Sequence, residues 1–271
     1  MNEVHRWVFP DTTVSALLTI RPKALSVLEK FEMDPFTLPL TKAGQLCGEK
    51  GVSWDSFLGE MEALEIPMED SEWSLIPLFC LLDYLTCEHR VFIRDFLPGI
   101  KSAFWSLESS QEIPGRFAAL ISEWHSFANA LNEHIAAEES FLFPKILRYD
   151  YCARHGKVDP DFFKGSVRVF AALHLHKNEQ GLLEIIRSFI DLTRLAIPVI
   201  GEAEGPELNL IGLLESFDTK HQLHSRLERE ILVPMASALE KRLYDRFISG
   251  ESDPPHRFIP TVHITRANEP L

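Results

Sequence analysis

The chain has 271 residues, 45% of them hydrophobic, with 27 Lys and Arg against 40 Asp and Glu, giving a formal charge of −13. That is enough apolar material for a sizeable core, and the acidic balance argues against nucleic acid or an anionic membrane as partner. No apolar run reaches the roughly 18–20 residues of a membrane span. The start, MNEVHRWVFPDTT, has no cationic region leading into an apolar core, and four cysteines lie scattered with no CxxC. A cytoplasmic protein with free thiols is therefore expected.

Strand patterns are scarce and helical periodicity dominates, so the expected fold is all-α. Residues 1–68 read as a small helical N-terminal domain: Asp11, Thr12 and Thr13 offer an N-cap, Pro22 suits a first helical turn, and Pro35, Pro39, Gly44, Gly48 and Gly51 break the chain into short pieces. EIPMEDSE (65–72) reads as a linker. Four long periodic segments follow, at about 73–107, 114–147, 160–192 and 206–247, separated by modest loops such as RYDYCARHGKVDP. They predict an antiparallel four-helix bundle over 69–248. Residues 249–271 are Pro-rich and unpatterned and read as an extended tail, with His256 and His263 inert. Glycine-rich phosphate loops and the G-x-S-x-G of acyl transfer are absent from the sequence.

Core-facing positions of bundle helices recur at steps of three and four. One such stripe per segment reads Leu75, Leu78, Leu82, Leu85, His89, Phe92, Phe96; then Trp124, Phe127, Leu131, His134, Glu138, Phe141; then Val169, Ala172, His176, Glu179, Leu183, Ile186, Ile190; then Leu214, Phe217, His221, His224, Glu228, Ile231, Met235. Polar residues interrupt each apolar stripe near its middle. Two of these interruptions belong to one repeated phrase, HIAAEESFLFP (134–144) and HSRLEREILVP (224–234).

A lone buried His is usually just hydrogen-bonded, and a lone H-x3-E is often an exposed pair. Four His and two Glu at one level are different, because buried unpaired charge costs several kcal/mol. A divalent metal is the natural neutraliser. Each H-x3-E pair lies on one helix face about one turn apart, so the Glu can bridge two ions while the His caps one. With one His from each other helix, His89, His134, Glu138, His176, His224 and Glu228 form a candidate two-metal site. Imidazole and carboxylate suit iron, with zinc or manganese as alternatives. Glu179 is one turn beyond His176 and could ligate, relay protons or hydrogen-bond to a ligand; His221 is one turn before His224 and could ligate or support the ligands. His174 is about 200° around the helix from His176, so only one of them can face the core. His5, His125 and His155 lie off the stripes. Phe92, Phe127, Phe141 and Phe217 read as an apolar wall around the site, and Pro144 and Pro234 as kinks one to two turns beyond each Glu.

With these residues in hand, region 73–240 resembles a hemerythrin-like (HHE cation-binding) four-helix bundle, and more narrowly the repair-of-iron-centres (RIC) di-iron family. The likeness rests on HIAAEESFLFP, LHKNEQGLLEII (175–186) and HSRLEREILVP; in EHRVFIRDFLPGI (88–100) one extra residue separates His89 from Arg94 relative to the family pattern. The resemblance implies the same six ligands, both Glu bridging, and an open position for O2, peroxide or nitric oxide. It also implies a role in mending iron–sulfur clusters under oxidative or nitrosative stress, with an iron–sulfur protein as client and a homodimer as assembly. RPKALSVLEKFEMDPF falls where the family carries a helix and a Cys-Cys-Gly-Gly, but here Asp34 is followed by PFTLPL. Both cysteines are missing, which puts any thiol chemistry there in doubt and leaves an O2 or nitric oxide sensor or store as the alternative. Whether the protein is an enzyme stays open, as does a dizinc hydrolase or a metal-free scaffold.

Overall fold

A computed structural model describes residues 8–36, 38–63, 73, 76–110, 118–156, 165–167, 176–196 and 206–249; of these, the side chains of 110, 176–180, 195–196 and 206–207 are outside the description. The described residues are helical and hold no strand, as the periodicity predicts. The linker at 65–72, the tail beyond 249, His5, His174, His256 and His263 lie outside the described residues.

Four short helices come first: α1 (Val14–Ile20), α2 (Ala24–Lys30), α3 (Ala43–Glu49) and α4 (Trp54–Glu62). Thr13 caps α1 by accepting from the Ala16 N–H at 3.3 Å, and Ser53 caps α4 by accepting from Ser56 at 3.1 Å. These side chains satisfy donors that the first turn leaves without a helical partner. The long helices are α5 (Leu78–Val91), α6 (Leu97–Ser110), α7 (Ala118–Ala137), α8 (Phe143–His155), α9 (His176–Ala196), α10 (Pro206–Leu227) and α11 (Val233–Ser249). The second long segment thus runs to His155, eight residues past the expected end at 147, and stops at Gly156, which takes φ 64°. Buried Tyr149 and Tyr151 carry it through a stretch expected to be a loop.

Among the described residues, three five-residue π-helical turns join these helices, at Phe92–Phe96, Glu138–Leu142 and Glu228–Leu232. Each opens six residues before a proline: Pro98, Pro144 and Pro234. A proline in a helix has no N–H to give the carbonyl four residues back, and its ring collides with that carbonyl. Here those carbonyls belong to Arg94, Ser140 and Glu230, the middle residue of each turn. Widening the turn to i→i+5 bonding moves the carbonyl aside; the first turn does so, with Leu97 N–H donating to Phe92 O. The expected kinks are therefore π turns.

By contact the chain divides into two compact units: Met1–Thr86 with Glu139–Val169 and Glu230–Leu271, and Cys87–Glu138 with Phe170–Arg229. They interleave in sequence, whereas the reading along the chain set its boundaries near 68 and 248. In the first, α1 packs on α2 and α8, α4 on α2 and α3, and α8 on α11. Leu17, Leu25, Leu28, Phe57 and Met61 are fully buried there. Two buried carboxylates in this unit are answered by hydrogen bonds. Arg21 donates Nε and a terminal nitrogen to Asp83 at 3.0 Å each, and Glu240 accepts from Tyr149 Oη at 2.9 Å, Ser166 Oγ at 2.8 Å and Val167 N at 3.0 Å.

In the second unit α6 packs on α7 and α10, and α9 packs on the same two helices. Its core is heavily aromatic: Phe92, Phe104, Trp124, Phe127, Phe189 and Phe217 are all buried. Their rings meet largely edge-to-face, as Trp124 on Phe189 (83°) and Phe127 on Phe217 (86°), the arrangement ring quadrupoles favour. Among the described residues, no helix is long and apolar enough to cross a membrane.

Candidate metal centre

The polar interruptions of the stripes are placed by helix ends. His89 sits in the last turn of α5, His134 in the last turn of α7 and His224 in the last turn of α10. Glu138 and Glu228 are each the first residue of a π turn. All five side chains are buried. The α-helical i,i+4 spacing puts each Glu on the face of its His, and the π turn beginning there lets the chain continue to the proline without rotating the carboxylate away.

The side chains converge. His89 Nε2 lies 3.1 Å from His224 Nε2 and 3.3 Å from Glu138 Oε2. His134 Nε2 lies 3.1 Å from Glu138 Oε1, and His224 Nε2 lies 3.3 Å from Glu228 Oε1. One ligand atom from each of His89, Glu138, His224 and Glu228 falls within 4.8 Å of every other. The group therefore joins residues from three of the four predicted stripes.

These distances fit a cation. Ligand atoms about 2.1 Å from one ion at right angles are about 3.0 Å apart, and tetrahedral ones slightly more. The separations of 3.1 to 3.3 Å are edges of such a polyhedron. Protons alone serve the cluster poorly. Two Nε2 atoms face each other with carboxylate oxygens beside them, and a neutral imidazole has one N–H to give. His224 also has a buried Nδ1 with no hydrogen-bond partner among the described residues. Burial, with His134 nearby, pushes the His224 imidazole down to about 3. It is thus a neutral lone-pair donor at ordinary pH, the form that binds a metal. A buried group of two His and two Glu could hold a metal ion here.

The other predicted residues divide. His134 adjoins the group through Glu138. His221 is buried beside it: its ring stacks on Phe217 (centroids 5.5 Å, 13°) and meets Phe92 edge-on at 5.9 Å, the same ring that His224 meets at 5.5 Å. Burial, reinforced by His224, His134 and His89, pushes His221 down to about 3. His176 opens α9, and Glu179 follows in its first turn, but both side chains lie outside the described residues. His155 pairs instead with Glu29 at 2.8 Å.

The apolar wall needs one correction. Phe92, Phe127 and Phe217 are buried against one another, but Phe141 is 68% exposed. The π turn at 138–142 adds a residue to the helical count and advances the side chains beyond it by about 100°. Leu142 takes the inward place, fully buried. The sequence pattern alone also misses Trp124 and Phe189 as partners of this wall: Trp124 touches Phe127 and Phe217, and Phe189 touches Phe127. Trp124 is on its stripe; Phe189 lies one residue off its own.

The chain matches no family model, and no curated protein matches it.

Proposed function

We propose that the chain is a hemerythrin-like four-helix bundle carrying a carboxylate-bridged di-iron centre. The observation that supports this most is the mutual approach of His89, Glu138, His224 and Glu228, all buried, with one ligand atom of each within 4.8 Å of every other. Bound iron would supply a Lewis-acidic, redox-active pair with open positions for O2, peroxide or nitric oxide. In this reading His89, Glu138, His224 and Glu228 would hold the iron, the imidazoles as neutral donors and the carboxylates as shared anionic ones. His134, next to Glu138, and His176 are the remaining ligands that the resemblance implies. The packing of α6, α7, α9 and α10 on one another is what such a bundle requires. Phe92, Phe127 and Phe217 keep bulk water from the ligands and admit only small molecules. Burial holds His224 neutral, which leaves its lone pair available to a metal without first losing a proton.

The biological setting we infer is cytoplasmic stress response, with repair of damaged iron–sulfur clusters as the role and an iron–sulfur protein as client. The chain lacks the cysteine pair at 35–36, where Pro35 and Phe36 stand. That favours, as a second reading, a reversible O2 or nitric oxide sensor or store. The two separate on one assay: restoration of a damaged cluster enzyme in vitro supports repair and excludes a pure sensor.

The test of the centre itself has two steps. Metal content is measured on protein purified without added metal, zinc being interpreted with care because it competes well at His/Glu sites. Anaerobic iron(II) loading is then followed by O2 or nitric oxide, and new near-ultraviolet and visible absorption is expected. Metal content near zero in both preparations sinks the centre. Bound iron with no spectral response sinks the small-molecule reading.

A further inference from the structure

His221 is not one of the four converging ligands, yet it stands beside them. It lies three residues before His224 on α10, is 1% exposed, and shares the Phe92 ring with His224. Its other face is stacked on Phe217. The ring is thus at the border between the polar ligand group and the aromatic wall. Its Nδ1 is buried with no hydrogen-bond partner among the described residues.

A buried polar atom left without a partner costs stability, so a phenylalanine would suit this place better if packing were all that mattered. The ring already makes the contacts of a phenylalanine, stacked on Phe217 and T-shaped with Phe92. What His adds is one N–H at the edge of the ligand group. Burial and the neighbouring imidazoles keep it neutral, so it carries a single donor and one lone pair rather than a charge. A neutral donor beside an aromatic wall recognises a small, compact acceptor without needing a counter-ion.

We propose that His221 Nδ1–H is the hydrogen-bond donor to a small acceptor molecule of two or three atoms seated at the open position of the metal centre. This rests on the di-iron reading above. His221 is then a ligand-recognition residue and not a metal ligand. It sets how long the small molecule stays, while His89, His134, Glu138, His224 and Glu228 set how firmly the metal stays.

The experiment uses the full chain, loaded anaerobically with iron(II) and then oxidised, with azide as the probe and absorption as the readout. Wild type, H221F and H221Q are compared, with iron per chain measured on each. H221F is expected to keep the wild-type iron content and to bind azide about tenfold more weakly, the loss of one hydrogen bond. H221Q, which restores a donor, is expected to recover most of that affinity. In metal-free protein H221F should melt higher than wild type, because the orphan nitrogen is gone. Equal azide affinity in wild type and H221F overturns the proposal. So does loss of iron from H221F, which would make His221 a ligand. A lower melting temperature of metal-free H221F also overturns it, by showing that the fold itself uses the nitrogen. If wild type takes up no iron, the di-iron reading falls first and the proposal with it.

Discussion

Replacing Glu228 with Gln should stabilise the metal-free protein and abolish most of its response to metal. Glu138 and Glu228 are both buried and place oxygens within 4.8 Å of one another. Two ionised carboxylates at that distance repel by about 3.5 kcal/mol at an effective dielectric constant of 20. Glu228→Gln removes that term and forfeits part of the contact with His224 at 3.3 Å, about 1 kcal/mol. The net gain is about 2.5 kcal/mol, and a chain of this size shifts by roughly 2–4 °C per kcal/mol. The melting temperature of chelator-treated Glu228→Gln should thus rise by roughly 5–10 °C. With metal the order reverses. Metal at a thousand times its dissociation constant stabilises wild type by about 4 kcal/mol, and the variant, short of a bridging ligand, should gain little. Calorimetry with chelator and with iron(II) or zinc reads both arms. A metal-free variant that melts below wild type, with an equal metal-induced rise in both, would refute the reasoning. It would mean that Glu228 is a satisfied core residue and not half of a cation site.

Pro234→Ala should let the π turn at 228–232 relax to α-helix, gaining up to about 3 kcal/mol of helix propensity while turning Glu228 relative to α11; metal content measured beside melting temperature should show tighter folding and weaker binding. Pro98→Ala should relax the turn at 92–96 in the same way but leave all four converging ligands in place, so metal content should hold while hydrogen exchange slows across that turn. Phe217→Ala removes a fully buried ring that packs on Phe92, Phe127 and His221, and should cost about 3–5 kcal/mol in denaturant unfolding. Metal-free protein should also lose stability in acid. His221 and His224 sit at about 3 when folded against 6.5 for an ordinary imidazole. Between those values the unfolded chain binds more protons, so stability falls as pH drops from about 6.5 towards 3 and is level above. Unfolding midpoints across that range check the sign.

Much of the site was legible because a bundle stripe is a strong pattern. A His or Glu on an otherwise apolar stripe must either be satisfied or bind something, and that logic singles out His89, Glu138, His224 and Glu228, the buried group that could hold a metal ion. It also placed His221 on the right face. The division into two interleaved units was not legible, since it depends on which helix halves pack together over long sequence distances. Nor was the extension of α8 to His155: Tyr149 is buried through its bond to Glu240, ninety-one positions later, and no local pattern announces that partner.

Phe141 shows most sharply where periodicity stops working. The stripe at steps of three and four assumes one helical pitch throughout, and each π turn breaks that assumption by a residue. The cause is local and separable from the candidate ligands. Two of the three turns open on a carboxylate, Glu138 and Glu228, but the third opens on Phe92, which ligates nothing. All three stand six residues before a proline. The proline, not the ligand, therefore sets the turn. What the carboxylates gain is position: a Glu placed six before the proline is the last residue still in register with its His four before it. The repeated phrase H-x3-E-x5-P is thus two constraints written together, an α-helical step that pairs the ligands and a π-helical step that ends their helix face. Reading each proline as a change of pitch, rather than a simple kink, moves the inward residue from Phe141 to Leu142, where the structure has it.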